Sequence, residues 1–478
     1  MTLCDLGASQ LRRMIDRRAI SPVDLLEECI VRIERDNPAL NAIVSSCLDR
    51  ARQEARAAEA ATMRGQQTGL LHGIPVAIKD LTETAGLTTT FGSPRFRDHV
   101  PERDENVVAA LRSQGAIVVG KTNTPEFGIG GNTTNRVYGA TRNPFALQLT
   151  CGGSSGGAAV ALATGMVPLA TGTDSGGSLR NPASFCGVVG FRPTPGLVAS
   201  ERRPQGWSPM GVHGPMARSV GDAALLLQAM AGYDPRDPIS YENPGGFERL
   251  DAVRLDGLTA GFSADLGFAP VAEAVAGLFH RRAERMAPLF GECREADLPM
   301  RNAEEVSWIL RCVYLLAGHA ERLAGQPDEL EPQLRENLRA AQGLTAAQIA
   351  WAMAEQTRIY RAFETAMRRY AVLVCPAAAV PPFPVDCMYP PAIDGRPLKH
   401  YAQWMAITYG ITLVGHPALV IPCGVDDSGL PFGIQLVARP HQDRSLLSIG
   451  LALEQAFAED PLLARPVPPP MPGPERRR

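Results

Sequence analysis

The sequence lacks any apolar run long enough to cross a lipid bilayer. The longest candidate, residues 158–170, is interrupted by Thr164 and Gly165, whereas a spanning helix needs about 20 apolar residues. The N-terminal stretch MTLCDLGASQLRRMIDRRAI has neither the apolar core nor the small-residue cleavage site of a signal peptide. We therefore expect a soluble cytoplasmic protein that does not bind membranes.

The sequence also has little excess charge and no metal-ligand spacing. Its 47 Lys and Arg residues nearly balance its 50 Asp and Glu residues, for a net charge of −3, so nothing in the charge favours binding to nucleic acid. The 10 cysteines include no CxxC pair, and the 8 histidines include no HxH or HExxH motif. We expect reduced, mostly buried thiols and no metal site.

What the sequence does contain is an alternation of strand and helix patterns, which predicts an α/β fold with crossover helices. Helices are predicted over 106–114 and 158–163. The predicted buried strands are LLHGIPVAIKDL, AIVVGKT, VPLATGTD, GVVGFRPT, AVLVCPAA, ALVIPCGV and FGIQLVA. Segments 1–65 and 301–369 have helical spacing. We expect one domain over 1–466, with 301–369 as a helical cap, and a disordered Pro-rich tail over 467–478.

One short phrase occurs twice, at Gly152-Gly153-Ser154 and again at Gly176-Gly177-Ser178. Plain turns would explain it, but a phosphate loop would not, since the Walker pattern needs a lysine that this region lacks. The first copy also fits G-x-S-x-G, the nucleophile elbow of α/β-hydrolase esterases. That reading would make Ser154 the nucleophile, with a downstream histidine such as His416 as base. The polar, irregular residues before Ser154 argue against it.

Another interpretation pairs the serines with a lysine. Lys79 follows a continuous apolar run in GIPVAIKDL, although lysine usually lies at the surface. Burial lowers the pKa of an amine, and a neutral lysine can act as a general base. The alternative is a lysine that forms a salt bridge or reaches solvent at the end of the strand.

Together these motifs resemble those of the amidase signature family of serine hydrolases. The resemblance rests on GIPVAIKD and on GGSSGGAAVALATGMVPLATGTDSGGSLRNPASFCG. It continues through KTNTPEFG, TRNPF, GPMARSVGDAALLL, GHPALVIPCG and GLPFGIQLVAR, and so covers nearly the whole chain. It implies a large mixed central β-sheet with helices on both faces, and hydrolysis of a carboxylic amide without a metal or organic cofactor.

The resemblance also implies roles for single residues. Ser178 would be the nucleophile, Ser154 a bridging serine that follows a cis peptide bond, and Lys79 the base. The backbone N–H groups of the second loop would form the oxyanion hole, namely those of Ser175, Gly176 and Gly177. Asp174 and Arg180 would support this loop, and Ser155 would supply a further hydroxyl near the triad.

The substrate is less well defined by the sequence. The resemblance is nearest to stand-alone amidases of the aryl acylamidase and nylon-oligomer (cyclic dimer) hydrolase types. The amidase component of glutamyl-tRNA amidotransferase shares the core but differs over SERRPQGWSPMGVHG. Members of the family are often dimers, so a homodimer is allowed, although no residue identifies an interface. The candidate substrate-binding residues are Phe127, Gly128, Ile129, Gly130, Trp308, Cys312 and Trp404.

Overall fold

The computed structural model describes residues 2–325 and 327–471. Within them the chain forms thirteen α-helices: α1 (Ala8–Asp16), α2 (Pro22–Leu40), α3 (Leu48–Met63), α4 (Asn106–Ser113), α5 (Gly156–Ala163), α6 (Arg180–Cys186), α7 (Val220–Met230), α8 (Glu273–Met286), α9 (Ala303–Gly325), α10 (Pro332–Gln342), α11 (Ala346–Met367), α12 (Ala406–Leu413) and α13 (Asp443–Ala458). Ser21 caps α2, because its side chain accepts a hydrogen bond from the N–H of Val23.

The strands form one large sheet and two small hairpins. In chain order they are β1 (Ile43–Ser46), β2 (Pro75–Lys79), β3 (Ile117–Thr122), β4 (Arg142–Asn143), β5 (Ala146–Thr150), β6 (Leu169–Asp174), β7 (Val189–Arg192), β8 (Val212–Ala217), β9 (Thr259–Phe262), β10 (Glu292–Glu295), β11 (Val372–Pro376), β12 (Ala392–Ile393), β13 (Arg396–Pro397), β14 (Ala418–Val425) and β15 (Pro431–Val437). The 11-stranded sheet has the order β1-β3-β2-β6-β8-β7-β14-β15-β11-β9-β10. Its pairs are parallel between β3, β2 and β6 and antiparallel from β6 to β11, so the predicted mixed α/β sheet is confirmed.

Helices cover both faces of this sheet because successive strand residues point to opposite sides. Val76 belongs to one hydrophobic cluster and Ala77 to the other, and the same alternation separates Leu419 from Val420. Helix α5 packs in the cluster of Ala77, whereas α7 and α13 pack in the cluster of Val76. The strands are therefore apolar in continuous runs, which is how the sequence identified them.

Two strands differ from the prediction. Strand β8 was not foreseen, because Pro215 removes an N–H donor and usually marks an edge strand. Here β8 is central, but its partner β7 pairs only with Met216 and Ala217, so Pro215 faces no neighbour on that side. Strand β1 interrupts the predicted helical segment 1–65 and forms the edge of the sheet beside β3.

The sequence also predicts a helical segment over 301–369 and a disordered C-terminal tail. Segment 301–369 forms α9, α10 and α11. Of the predicted tail, 472–478 lie outside the described residues, whereas 467–471 contain no helix or strand and Met471 packs against the second cluster. The single domain over 1–466 stays a prediction.

The described part of the chain contains no helix that is both long and apolar enough to cross a membrane. Within the same residues, no three His, Cys, Asp or Glu side chains lie together as the ligands of a metal ion would. All ten cysteines are free thiols, and seven of them are buried.

Candidate active site

The two glycine-serine loops lie next to each other. The first, residues 151–155, joins β5 to α5, and the second, residues 175–179, joins β6 to α6. Helix α5 contacts both β6 and α6, so the apolar stretch between the loops holds them together. The N–H of Ser155 donates to the carbonyl oxygen of Ser178 across 3.1 Å. The repeated phrase therefore forms one structural unit.

Lys79 reaches this unit from the end of β2. Its side chain is fully buried, and its Nζ atom contacts the hydroxyls of Ser154 at 2.8 Å, Ser155 at 2.9 Å and Thr173 at 3.0 Å. Burial lowers the pKa of Lys79 well below its usual range, and the charge of Asp174 opposes this shift only in part. The amine is therefore placed to be neutral.

The hydrogen bonds around Lys79 match a neutral amine, which has two N–H donors and one lone pair. The hydroxyl of Ser155 donates to the carbonyl oxygen of Thr173 at 3.3 Å, so it accepts from Lys79. One N–H and the lone pair are then left for the hydroxyls of Ser154 and Thr173, each of which can donate or accept. This arrangement allows Ser154 to donate its proton to the amine.

Ser154 and Ser178 line the same cavity. The peptide bond between Gly153 and Ser154 is cis, as the resemblance implies. In the described residues the hydroxyl of Ser178 has no hydrogen-bond partner, so it faces the cavity free to meet a ligand. Catalytic hydrogen bonds are often long before substrate binds and shorten in the complex.

The carboxylate of Asp174 holds the second loop in place through hydrogen bonds. It accepts from Arg180 Nη2 at 2.8 Å and Nε at 2.9 Å, and from the N–H groups of Gly177 and Leu179. Burial would raise the pKa of Asp174, but the charges of Arg180 and Arg192 outweigh it and hold this pKa well below its usual range. The loop therefore rests on a fully ionised, fully satisfied carboxylate.

The backbone N–H groups predicted to form the oxyanion hole differ in whether they already donate a hydrogen bond. The N–H of Gly177 donates to Asp174 at 3.0 Å, so it is not available to a ligand in this structure. The N–H groups of Ser175, Gly176 and Ser178 have no partner within the described residues. Gly177 has a φ of 120°, and a Cβ there would overlap the hydroxyl of Thr408, so the loop requires glycine at this position.

The cavity above the serines has a volume of about 440 Å³. One wall is a single face of α9, since its residues recur in steps of three and four. These residues are Arg311, Tyr314, Leu315, Gly318, His319 and Arg322. Helix α9, the first helix of segment 301–369, therefore forms part of the wall of the cavity that contains Ser178.

Aromatic rings gather at one end of this cavity. Phe91 packs edge-on against Phe96 with ring centroids 5.1 Å apart, and Phe96 lies 6.1 Å from Phe127. Phe127 is 4.7 Å from His319 on α9. Burial lowers the pKa of His319 to about 3, so this end of the cavity carries a neutral imidazole.

The structure brings only part of the predicted substrate-binding set to this cavity. Phe127, Gly128 and Ile129 line it, whereas Gly130 does not. Trp308 lines a smaller neighbouring cavity together with Ser175 and Gly176.

Cys312 and Trp404 lie in the protein core instead. The Cys312 side chain is fully buried and accepts a hydrogen bond from Asn337 at 3.4 Å. Trp404 is fully buried and stacks on Phe185. Neither lines the cavity of Ser178, because the contacts of each are with core residues. We therefore leave both out of the proposed substrate site.

The esterase alternative finds no support in this geometry. The hydroxyl of Ser154 contacts Lys79, whereas His416 is buried against the carbonyl of Val414 and the carboxylate of Glu364. Strand β5, which precedes the first loop, belongs to a two-stranded hairpin rather than to the central sheet. An elbow needs a central strand at that point.

Sequence reasoning missed Thr173 and the residues of α9 that line the cavity. Thr171 and Thr173 share one face of β6, and their hydroxyls contact the backbone N–H and the amine of Lys79 respectively. Two threonines at alternate positions of an otherwise apolar strand were the available signal. The α9 face had the periodicity of any buried helix, so nothing in the sequence distinguished it from core.

Comparison with known proteins places the chain in a family. The family model described as Amidase matches residues 24–447. The chain is 34% identical over 445 residues to an acylamidase of Rhodococcus erythropolis, covering 92% of this chain and 93% of that protein. It is also 34% identical over 487 residues to the A component of the glutamyl-tRNA(Gln) amidotransferase of Moorella thermoacetica, covering 95% and 97%.

Solved structures give the same result. A bacterial aryl acylamidase of the amidase signature family superposes with a TM-score of 0.88 at 29% identity, covering 95% of this chain and 96% of that one. A 6-aminohexanoate cyclic dimer hydrolase with bound substrate superposes with a TM-score of 0.82 at 25% identity, covering 95% and 98%. This chain belongs to the amidase signature family and is an amidase, an enzyme that hydrolyses carboxylic amides.

Proposed function

We propose that this amidase uses Ser178 as its nucleophile, Ser154 as a bridging hydroxyl and Lys79 as its general base. The observation that carries the proposal is the contact of 2.8 Å between a fully buried lysine amine and Ser154, beside the free hydroxyl of Ser178 in one cavity. A serine hydroxyl is a weak nucleophile until an adjacent base takes its proton.

The proton moves in two steps. Neutral Lys79 accepts the proton of Ser154, Ser154 accepts that of Ser178, and the Ser178 oxygen bonds to the amide carbonyl carbon. The negative charge on the carbonyl oxygen is received by the N–H groups of Ser175, Gly176 and Ser178, and each such donor contributes about 3 kcal/mol to the barrier reduction.

Collapse of this intermediate breaks the C–N bond. The leaving amine takes a proton from Ser154, which regains one from Lys79, so the amine is expelled neutral and Ser178 remains acylated. A water molecule then attacks the acyl-enzyme through the same relay and releases the acid. Atoms and charges balance with water as the single co-reactant.

We further propose an aromatic amine as the leaving part of the substrate. The cluster of Phe91, Phe96 and Phe127 offers ring edges and faces to a planar group. The cavity of about 440 Å³ suits a small arylamide. The structural likeness to an aryl acylamidase supports arylamides as the substrate class. The alternative substrate is a cyclic aminohexanoate dimer, and its rate of hydrolysis should be compared with that of an arylamide.

We propose that the chain acts without a partner protein. Segment 198–215, where the sequence departs from the amidotransferase components, contributes Ser200, Arg202 and Arg203 to the cavity wall, so the departure falls on the substrate site itself. The purified chain should hydrolyse 4-nitroacetanilide without any added protein. Activity only after addition of a tRNA-dependent partner complex would contradict this.

A fluorophosphonate probe tests the nucleophile. The probe should label the purified chain once, on a peptide containing Ser178, and Ser178→Ala should abolish both labelling and anilide hydrolysis. Ser113→Ala, at an exposed serine on α4, is the matched control and should behave as the parent protein. Undiminished turnover by a folded Ser178→Ala variant would overturn the assignment.

A further inference from the structure

Four arginines line the cavity, and they differ in how their charge is balanced. Arg202 and Arg203 each form an ion pair with a carboxylate. Arg311 and Arg322, both on α9, form none with any described residue. An unbalanced guanidinium in a concave site is a binding group for a carboxylate.

Arg322 is already engaged at the aromatic end. Its guanidinium carbon lies 4.8 Å from the ring centroid of Phe127 and 5.7 Å from that of Phe96. Its Nη1 atom donates to the carbonyl oxygen of Gly318 at 2.7 Å. These contacts make Arg322 part of the aromatic cluster.

Arg311 stands three turns earlier on α9, roughly 16 Å away along the helix axis. Its Nε and Nη2 atoms donate to the hydroxyl of Tyr401 at 3.3 Å and 2.9 Å. That hydroxyl in turn donates to Asn337, which fixes the guanidinium from behind. Nη1 has no partner among the described residues and points to the second loop, since a Cβ on Gly176 would lie 3.6 Å from it.

The two ends of the cavity therefore offer different contacts to a substrate. A Cβ on Gly128 would lie 3.3 Å from the Ser154 hydroxyl, so the Phe127 end adjoins the serine that protonates the leaving amine. The acyl group extends away from the leaving amine. Ser175 and Arg311 both line the cavity of Ser178, so an acyl group that leaves the reacting carbonyl in this direction would pass Ser175 and reach Arg311.

We propose that Arg311 binds a carboxylate in the acyl part of the substrate, so that the enzyme prefers N-aryl monoamides of dicarboxylic acids. This inference rests on the proposed function, because it uses the same cavity and the same direction of the leaving amine. The reaction adds water across the amide and yields a dicarboxylate and an arylamine. The charge of Arg311 balances the substrate carboxylate, which Arg202 and Arg203 cannot do while paired.

A matched pair of substrates tests the proposal. Glutaric acid mono-4-nitroanilide carries the carboxylate, and its methyl ester has the same chain without the charge. The parent enzyme should show a higher kcat/KM for the acid. Arg311→Gln should lower kcat/KM for the acid by about 10- to 100-fold, since a hydrogen bond to a charged group contributes about 1.5–3 kcal/mol, and should leave the ester nearly unchanged.

Two further variants control for folding and for bulk charge. Arg311→Lys keeps the charge but not the planar fork, so it should retain part of the preference for the acid. Arg339→Gln, at an exposed arginine on α10, makes the same change in net charge and should leave both substrates unaffected. Thermal unfolding of each variant identifies any loss that comes from misfolding.

The outcomes separate this inference from the proposed function. A parent enzyme that prefers the ester, or an Arg311→Gln variant that loses both substrates equally, overturns the role of Arg311 while Ser178-dependent hydrolysis stands. If neither anilide is hydrolysed in a Ser178-dependent way, the proposed function itself fails, and the carboxylate inference fails with it.

Discussion

Two lysines on neighbouring strands share one environment and differ in their partners. Lys79 ends β2, and Lys121 lies in the parallel strand β3, where it pairs with Ile78. Both side chains are fully buried, and burial lowers the pKa of both. For Lys121 the nearby Asp80 limits the shift, which leaves a pKa of about 8.

The partners decide which protonation state each site fits. Lys121 donates to the carbonyl oxygen of Thr82 and, at 3.1 Å each, to the hydroxyls of Thr84 and Thr89. Both hydroxyls donate their own protons to backbone carbonyls. All three partners of Lys121 are therefore acceptors, which suits the three N–H groups of an ammonium.

Two of the three hydroxyls that Lys79 contacts, those of Ser154 and Thr173, can either donate or accept a hydrogen bond. The Ser154 hydroxyl has no other acceptor among the described residues, so it can give its proton to a neutral amine. Burial alone does not make a lysine a base, because Lys121 is equally buried. The difference lies in whether the amine meets a proton donor or only acceptors.

Replacing Lys79 should produce the largest effect. Lys79→Met keeps the length of the side chain and removes the base, so kcat/KM for an anilide should fall by about 1,000-fold or more. The variant should fold, because the hydroxyls of Ser154, Ser155 and Thr173 remain near one another. Steady-state kinetics with a thermal unfolding curve checks both statements, and a fall below tenfold would remove Lys79 from the mechanism.

The same substitution at Lys121 should act on stability instead. Lys121→Met leaves the carboxylate of Asp80 and the carbonyl of Thr82 buried without their cation. Leaving a buried carboxylate without the nearby cation that compensates its charge costs about 3–5 kcal/mol of unfolding free energy. Urea unfolding measures the loss, and kcat/KM per folded molecule should fall far less than it does for Lys79→Met.

The opposite effects of the two substitutions would contradict the different roles given to Lys79 and Lys121. A Lys121→Met variant that keeps its unfolding midpoint but loses turnover would make Lys121 the base, or would make the two lysines one coupled unit. Both variants are measured in the same buffer at pH 7, where Lys121, with its pKa of about 8, is mostly protonated in the parent protein and in Lys79→Met.

The sequence could not distinguish these lysines. GIPVAIKD and AIVVGKT both place a lysine after an apolar run, and sequence reasoning considered Lys79 alone as the embedded one. What separates them is long-range, since Ser154 and Thr173 lie 75 and 94 residues from Lys79 in the chain. The apolar run that pointed to Lys79 also precedes Lys121, so the resemblance to a family is what favoured Lys79 over Lys121.

The fold was more predictable than the pocket, because the pocket depends on contacts between residues that lie far apart in the chain. Strand β14 spans the predicted residues, because continuous apolar residues report burial on both faces directly. The cavity wall depends on which face α9 turns toward Ser178, and helical spacing reports only that one face is buried. Trp308 and Cys312 were accordingly placed in the site, while Arg311, between them in sequence, was not.

The smallest expected effect comes from removing one hydroxyl at each lysine. Thr173→Val deletes an acceptor of Lys79 while keeping the shape of the side chain, and should lower kcat/KM by about 2- to 10-fold. A hydrogen bond stabilises an ammonium more than a neutral amine, so its loss lowers the pKa of Lys79 further. Because activity requires neutral Lys79, the acid limb of the pH profile should move to lower pH.

Thr84→Val is the matched change at Lys121. It removes an acceptor from the structural ammonium, so it should lower the unfolding free energy by about 1 kcal/mol and leave the acid limb where it is. Profiles of kcat/KM between pH 5 and pH 9 for the parent and both variants make the measurement. A limb that moves to higher pH in Thr173→Val, or that moves equally in Thr84→Val, would show that the acid limb does not report the protonation of Lys79.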